Sequence, residues 1–280
     1  MDFLTKLKTS WNKNNSLLCI GLDPDMTKLP SHLREGEAPY FTFNRAIIDA
    51  TAEVACAYKP NSAFYEARGS AGIQELQLTC AYIQEKYPDI PIILDFKRGD
   101  IGNTNKQYAA FAFEYLGVDA ITVQPYQGQE ASQSFLDYKE KGIIILCKTS
   151  NSGSGEFQDL EIDGKKLYAH VAERVKNNWN SNGNCLLVVG ATYPSELADI
   201  RSIIGDEMVI LVPGLGAQGG DTEATLKAGL NSVGDGLIIH TSRAVLYASD
   251  GEDFAEAAGQ AALRVRNEIN THRQHKGASQ

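Results

Sequence analysis

The residues best equipped for chemistry crowd into one stretch. In ILDFKRGDIGNT, residues 93–104, an apolar run ends and Asp95, Lys97, Arg98 and Asp100 follow within six positions. A solvated turn does not require two acids and a lysine packed so closely. Asp95 and Lys97 are two apart, so on a strand their side chains share one side. Asp100 lies just beyond, where the chain turns. Lys59, near the end of VACAYKPN (54–61), joins them if the two runs are neighbouring strands. The result is an alternating carboxylate–ammonium array. Flanking acids keep a lysine protonated. An ammonium fixed in this way is matched to negative charge that develops in a transition state, and it can then donate a proton. The competing reading is a salt-bridge network that closes one end of the fold. Buried ion pairs are costly to desolvate, so an array this dense points to a reaction.

Other reactive side chains also sit where apolar runs end. Asp23 ends SLLCIGLD (16–23), Lys148, Thr149 and Ser150 end GIIILCKTS (142–150), and Arg243 ends GLIIHTSR (236–243). The run MVILVPGLG (208–216) leads into the glycine-rich PGLGAQGGD (213–221). The beginnings of the runs carry far less of this chemistry. GLGAQG (214–219) has the spacing of a dinucleotide fingerprint, but the nearest acid, Asp235, precedes the next run instead of ending it. A cradle of backbone N–H groups for a phosphate fits better. Arg243 would add a fork-shaped donor to that phosphate and Gln218 a clamp. TSNSGSGEFQDLEIDGKK (149–166), rich in Ser and Gly, reads either as a mobile lid or as a surface loop. His32, His170, His240, His272 and His275 form no ligand pattern. His240, inside an apolar run, reads as a core residue or as one supporting the site.

These residues need a frame that brings run ends together. Four further apolar, β-branched runs complete a set of eight: IPIILDFK (90–97), DAITVQPY (119–126), NCLLVVGAT (184–192) and the 54–61 run already quoted. They are nearly continuous rather than alternating, as in strands buried on both faces. Between them the spacing predicts helices over 43–53, 71–87, 104–116, 166–179, 194–204 and 222–230, with a last helix over 253–269. Thr104 is a candidate N-cap and Gly117 a candidate C-cap. Eight strands alternating with helices predict a single (β/α)8 TIM barrel over residues 1–274, with a frayed polar tail over 275–280. An open doubly wound sheet is the alternative. In a barrel the site lies at the C-terminal ends of the strands, where the reactive residues are.

Bulk properties narrow the partners. The chain has 280 residues, 43% hydrophobic and 22% charged, with a net charge of −9 and a pI near 5.1. That balance argues against nucleic-acid or basic membrane-surface binding. It does not argue against an anionic substrate, because a local cluster of cations overrides the mean. Cys19, Cys56, Cys80, Cys147 and Cys185 are scattered, odd in number and without a C-x-x-C pair, which predicts buried core thiols and neither zinc nor disulfides. The N-terminus has no signal-peptide core and no stretch is long enough to span a membrane, so a cytoplasmic protein is expected.

The quoted motifs, taken together and in order, resemble the orotidine 5′-phosphate decarboxylase family, in its longer bacterial subgroup. LDFKRGDIGNT is similar to that family's D-x-K-x-x-D-I signature, and GLDP (21–24), YKPN (58–61), KTSNSGS (148–154), GLGAQGGD (214–221) and TSRA (241–244) follow in the family's order. The resemblance covers about residues 16–248. It implies decarboxylation to uridine 5′-phosphate with neither metal nor organic cofactor, in a homodimer. It implies that Lys97 protonates C6 of the pyrimidine and that Asp95 stands beside the departing CO2. Lys59 would be the second lysine of the array. Asp100 would complete the array from the partner subunit, and Thr104 would cross with it. The resemblance further implies that Asp23 binds a ribose hydroxyl, Ser150 the pyrimidine, and Gln218 and Arg243 the phosphate. Ile101, Pro213 and Gly219 would also contact substrate. Ser152 stands where proline is expected, and His240–Thr241 where smaller or amide residues are expected.

Three rivals remain at this point. A magnesium-dependent sugar-phosphate decarboxylase on the same barrel would use the acids as ligands. A non-catalytic uridine-phosphate-binding barrel would keep the pocket without turnover. A Lys97 Schiff base is disfavoured by the flanking acids.

Overall fold

The computed structural model describes residues 1–215 and 221–277, the last four of these by backbone alone. Eight strands form one parallel sheet: β1 (Leu18–Leu22), β2 (Ala57–Pro60), β3 (Ile93–Arg98), β4 (Ala120–Val123), β5 (Gly142–Lys148), β8 (Cys185–Val189), β9 (Ile210–Pro213) and β10 (Leu237–Thr241). The order is β2-β1-β10-β9-β8-β5-β4-β3. Bridges Tyr58–Ile92 and Asn61–Asp95 join the two end strands, so the sheet closes into the expected barrel. The strand cores are buried on both faces, as their unbroken apolar runs predict.

The helices at Pro39–Thr51, Gly69–Lys86, Pro194–Ile204 and Thr222–Gly229 lie close to the expected ranges. Two others pass into wider π turns, at Ala110–Tyr115 and Val175–Trp179. Thr104 is not an N-cap: the helix Gly102–Ala109 starts two residues earlier, after Ile101. Asn105 holds that start instead, donating to the carbonyls of Asp100 (2.6 Å) and Ala131 (2.7 Å). Gly117 does take the left-handed conformation (φ 67°) that ends a helix. The last helix runs from Phe254 to Gly277, past the expected 269, and residues 278–280 of the expected tail lie outside the described residues.

Two longer helices have no counterpart in the sequence reading, Phe3–Asn14 and Gly128–Leu136, and neither do the short turns of helix at Ser62–Glu66 and Arg243–Leu246. The first repeats apolar residues at Phe3, Leu7 and Trp11, one helical face, and all three are buried. Several of its contacts fall at strand beginnings. Phe3 meets Gly142, Lys6 pairs with Asp119 at 2.9 Å, and the Asn14 amide donates to the carbonyls of Ala52 and Ala55. It therefore caps the N-terminal end of the barrel and leaves the other end for a site. All five cysteines are buried and unpaired.

Segment 149–166 is not one long loop. It folds into a 3-10 turn (Ser152–Ser154), a short helix (Gly155–Gln158) and a hairpin of β6 (Glu161–Ile162) and β7 (Lys165–Lys166). Lys148, fully buried, anchors it through Asp159 at 2.6 Å, with Nζ 4.6 Å from the centre of the Tyr193 ring.

Candidate active site

The C-terminal strand ends enclose a cleft of about 810 Å³. On its floor Asp95 accepts from Lys59 Nζ at 2.7 Å and from Lys97 Nζ at 2.6 Å, one lysine to each carboxylate oxygen. Lys59 is 3% exposed, whereas the Lys97 side chain is 45% exposed toward the cleft. Three members of the array expected from spacing, Lys59, Asp95 and Lys97, are therefore together, and the arrangement is asymmetric: one ammonium is sealed and the other faces the cleft.

The geometry around Lys97 is less regular than a strand. The β3–β4 register shifts between Leu94 and Arg98, and Lys97 has φ 44°, a left-handed conformation unusual for a residue with a side chain. A bulge re-aims a side chain and leaves backbone groups without ladder partners. Thr122 of β4 supplies those partners. Its Oγ1 accepts from the N–H of Phe96 (3.1 Å) and of Lys97 (3.0 Å), and donates to Asp95 at 2.8 Å. One side chain thus holds both the bulge and the carboxylate. The sequence reading missed Thr122. Its signal was a lone polar residue inside the apolar run AITV.

The charges set one another's protonation. Burial alone would raise the Asp95 carboxyl, but Lys59 and Lys97 outweigh it and hold it well below the usual carboxylate range. Burial disfavours the charged Lys59, and Asp95 and Asp23 outweigh that in turn, so its pKa is raised. Asp23, where Lys59 and Ser242 only partly offset burial, is raised. Its carboxylate accepts from the Asn61 N–H at 3.2 Å. His240 is pushed well below its ordinary value by burial and then by Lys59, so its imidazole is neutral.

Asp23, Lys59, Asp95, Lys97, Ser150, Pro213 and Arg243 all line this cleft. Asp100, Ile101 and Thr104 do not. After the bulge the chain turns outward along the rim. There Asp100 receives the Ile101 N–H at 2.6 Å, and Ile101 is 67% exposed. Gln218 and Gly219 lie outside the described residues. So does most of the expected phosphate cradle, although Gly214, with φ 99°, opens it at the cleft wall. Asn61, Gln124, Gln158 and Ser242 line the cleft without having been anticipated.

A barrel with this array at its strand ends can be compared with known proteins. The model of the family described as "Orotidine 5'-phosphate decarboxylase / HUMPS family" matches residues 16–258. The chain belongs to this family. It is 54% identical over 275 residues to the orotidine 5′-phosphate decarboxylase of Cellvibrio japonicus (strain Ueda107), covering 98% of this chain and all of that one. It is 50% identical over 272 residues to that of Janthinobacterium sp. (strain Marseille), covering 97% and 99%. Among solved structures, Leishmania donovani OMP decarboxylase matches with a TM-score of 0.86 at 38% identity, over 98% of this chain and 99% of that one. Leishmania donovani UMP synthase matches with a TM-score of 0.87 at 40% identity, over 98% of this chain and 57% of that one. The family's barrel is thus present nearly end to end, and the bulged β3 lies inside the matched range.

Proposed function

We propose that the chain is a carboxy-lyase that converts orotidine 5′-phosphate to uridine 5′-phosphate and CO2, the last step of de novo pyrimidine synthesis. The observation that carries this reading is Asp95 held between a sealed Lys59 and a cleft-facing Lys97. Loss of CO2 from C6 leaves a carbanion in the plane of the ring, where no adjacent π system accepts it. The protein must stabilise that charge. The Lys97 ammonium, held by Asp95 at 2.6 Å, stands ready for the developing charge and then delivers its proton to C6.

Asp95 also faces the substrate carboxylate. Two like charges about 4 Å apart cost roughly 4 kcal/mol at an effective dielectric near 20. That is about three decades in rate, while enzymes supply six to seventeen. Repulsion is therefore the smaller contribution, and preorganised stabilisation of the transition state the larger one. Binding energy from the distant phosphate, at Arg243 with Gln218 and Gly219, would offset the repulsion. Pro213 would help to seat the phosphate, Ser150 would hold the pyrimidine and Asp23 a ribose hydroxyl.

The same reading makes the enzyme a cytoplasmic homodimer. Asp100, Ile101 and Thr104 sit on an outward-facing rim pinned by Asn105, which suits residues that serve a partner's cleft. No helix among the described residues is long and apolar enough to cross a membrane. For the magnesium-dependent rival, the donor set is unfavourable. Both oxygens of Asp95 are committed to cations, and no group of three or more His, Cys, Asp and Glu side chains among the described residues could hold a metal ion.

The test is ultraviolet-monitored loss of orotidine 5′-phosphate with excess chelator, wild type beside Lys97→Ala. Fast loss in the wild type and none in the variant is expected. A variant keeping more than about a tenth of wild-type kcat, a barrier change under ~1.4 kcal/mol, would remove Lys97 as proton donor. An inactive, folded wild type would return the choice to the sugar-phosphate or binding-protein readings.

A further inference from the structure

Two buried polar atoms in the cleft have no hydrogen-bond partner among the described residues: Nε2 of His240 and Oγ of Ser242. Both belong to the end of β10, and both close on one point. A Cβ built on Gly21 would stand 2.5 Å from Nε2 and 3.0 Å from Oγ. The imidazole and the hydroxyl thus fill the space that Gly21 leaves by having no side chain. Gly21 lies opposite Lys59 in the β1–β2 register and two residues before Asp23. Ser242 is near enough to Asp23 to favour its charged form, yet makes no well-formed hydrogen bond. Buried polar atoms are normally partnered, so two orphans converging in one corner of a cleft call for a function.

The corner's position says which part of a ligand it meets. On the function proposed above, the phosphate sits at Arg243 and the reacting carbon at Lys97. The sugar must lie between them. His240 and Ser242 immediately precede Arg243 on the chain, and Asp23 ends the adjacent strand. The sugar therefore passes over this corner, and His240 lines the cleft there. Burial beside Lys59 and Lys97 keeps the ring neutral. A neutral imidazole has one donor and one acceptor nitrogen. With Nε2–H turned to Ser242 Oγ, and the Ser242 hydroxyl donating to Asp23, both orphans are satisfied and Nδ1 is left as the acceptor.

We propose that His240 is a specificity-determining residue that accepts a hydrogen bond from a sugar hydroxyl of the nucleotide, in a tautomer set by Ser242 and Asp23. The inference rests on the proposed function and adds a selection for ribonucleotides within the same cleft. It also gives a reason for glycine at position 21, since any side chain there would displace one of the two groups.

The test is calorimetric binding of uridine 5′-phosphate and its 2′-deoxy and 3′-deoxy forms to the full chain. Wild type is compared with His240→Phe, His240→Asn and Ser242→Ala. Wild type should bind one deoxy form about three- to tenfold more weakly than uridine 5′-phosphate, the size of one net hydrogen bond. His240→Phe should lose that factor for uridine 5′-phosphate and lose nothing for that deoxy form, so discrimination disappears. His240→Asn should restore part of it, and Ser242→Ala should reduce it. If His240→Phe does not fold, unchanged discrimination in both other variants overturns the proposal. So does equal weakening of all three nucleotides by His240→Phe, because the ring would then only pack the cleft. A wild type that binds none of the three overturns the proposed function as well.

Discussion

Two buried cations sit at opposite ends of this barrel, and they are satisfied in different ways. Arg201, 8% exposed, lies by the strand beginnings and donates only to neutral backbone oxygens: Gly229 (2.8 Å), Gly205 (2.8 Å), Met208 (2.7 Å) and Gly236 (2.9 Å). These carbonyls flank the entries to β9 and β10. They cannot move without loosening the sheet. Burial draws its pKa down to about 10, with Asp206 and Asp235 opposing, so it stays charged near neutral pH. Lys59, 3% exposed, has a charged partner that it shares with Lys97. Asp95 is committed on both oxygens, but its second lysine opens to the cleft. A cation closed by fixed dipoles is a fastener. A cation in an alternating array, with one member open to a ligand, holds electrostatic potential where a reaction can use it.

That contrast can be broken by experiment. The largest effect should come from Asp95→Asn, which leaves two ammonium groups without their anion. We expect kcat to fall at least about a thousandfold, ~4 kcal/mol in barrier, with steady-state turnover as the readout. A loss under tenfold would mean that the array is only structural. Next is Arg201→Met, which removes the guanidinium from four backbone carbonyls. It should cost roughly 3–5 kcal/mol of unfolding free energy in urea, while kcat of the folded fraction stays within about threefold. A large drop in kcat with unchanged stability would reverse the assignment of the two ends.

A smaller effect separates two groups of the cleft by pH. His240 has a folded-state pKa below its ordinary value, so the unfolded chain takes up the proton first. Its contribution to stability is therefore lost as pH falls below about 6.5, at up to ~1.4 kcal/mol per pH unit. Asp95 behaves differently. Its pKa is depressed, so its contribution is intact above about pH 4 and is lost only as pH falls further. Urea titrations between pH 7 and 5 should show a slope that His240→Asn flattens. An unchanged slope would mean that the imidazole is not held neutral. Thr122→Val, which strands the two bulge amides, should act on stability and turnover together. About 1–3 kcal/mol of stability and roughly tenfold in kcat should be lost, the latter through Asp95. A change in stability alone would limit Thr122 to the bulge.

Much of this could be read from the chain in advance, for identifiable reasons. Parallel strands buried on both faces leave nearly unbroken apolar runs, so all eight were visible, and so were the polar residues that end them. The helices Phe3–Asn14 and Gly128–Leu136 were missed although each carries an apolar helical face, because FLTKLKTSWNKN and GQEASQSFL are short and largely polar outside that face. Segment 149–166 looked like a loop because Ser and Gly dominate its start, while Lys148, which anchors it, looked like one more polar strand end. Asp95 and Lys97 were placed together by a period of two. They do meet, but through a bulge that the period does not contain.

The sequence by itself determined the barrel, the end of it that carries chemistry and the residue types available there. Local apolar patterning and the polarity of run ends are sufficient for that. Tertiary structure alone decided that Asp95 gives one oxygen to each lysine, that Thr122 turns into the array and that Lys97 takes a left-handed φ. It also decided that Asp100 does not line its own cleft and that His240 and Ser242 converge over Gly21. Each of these depends on the register between strands far apart in the chain, or on a backbone torsion that no side-chain pattern encodes.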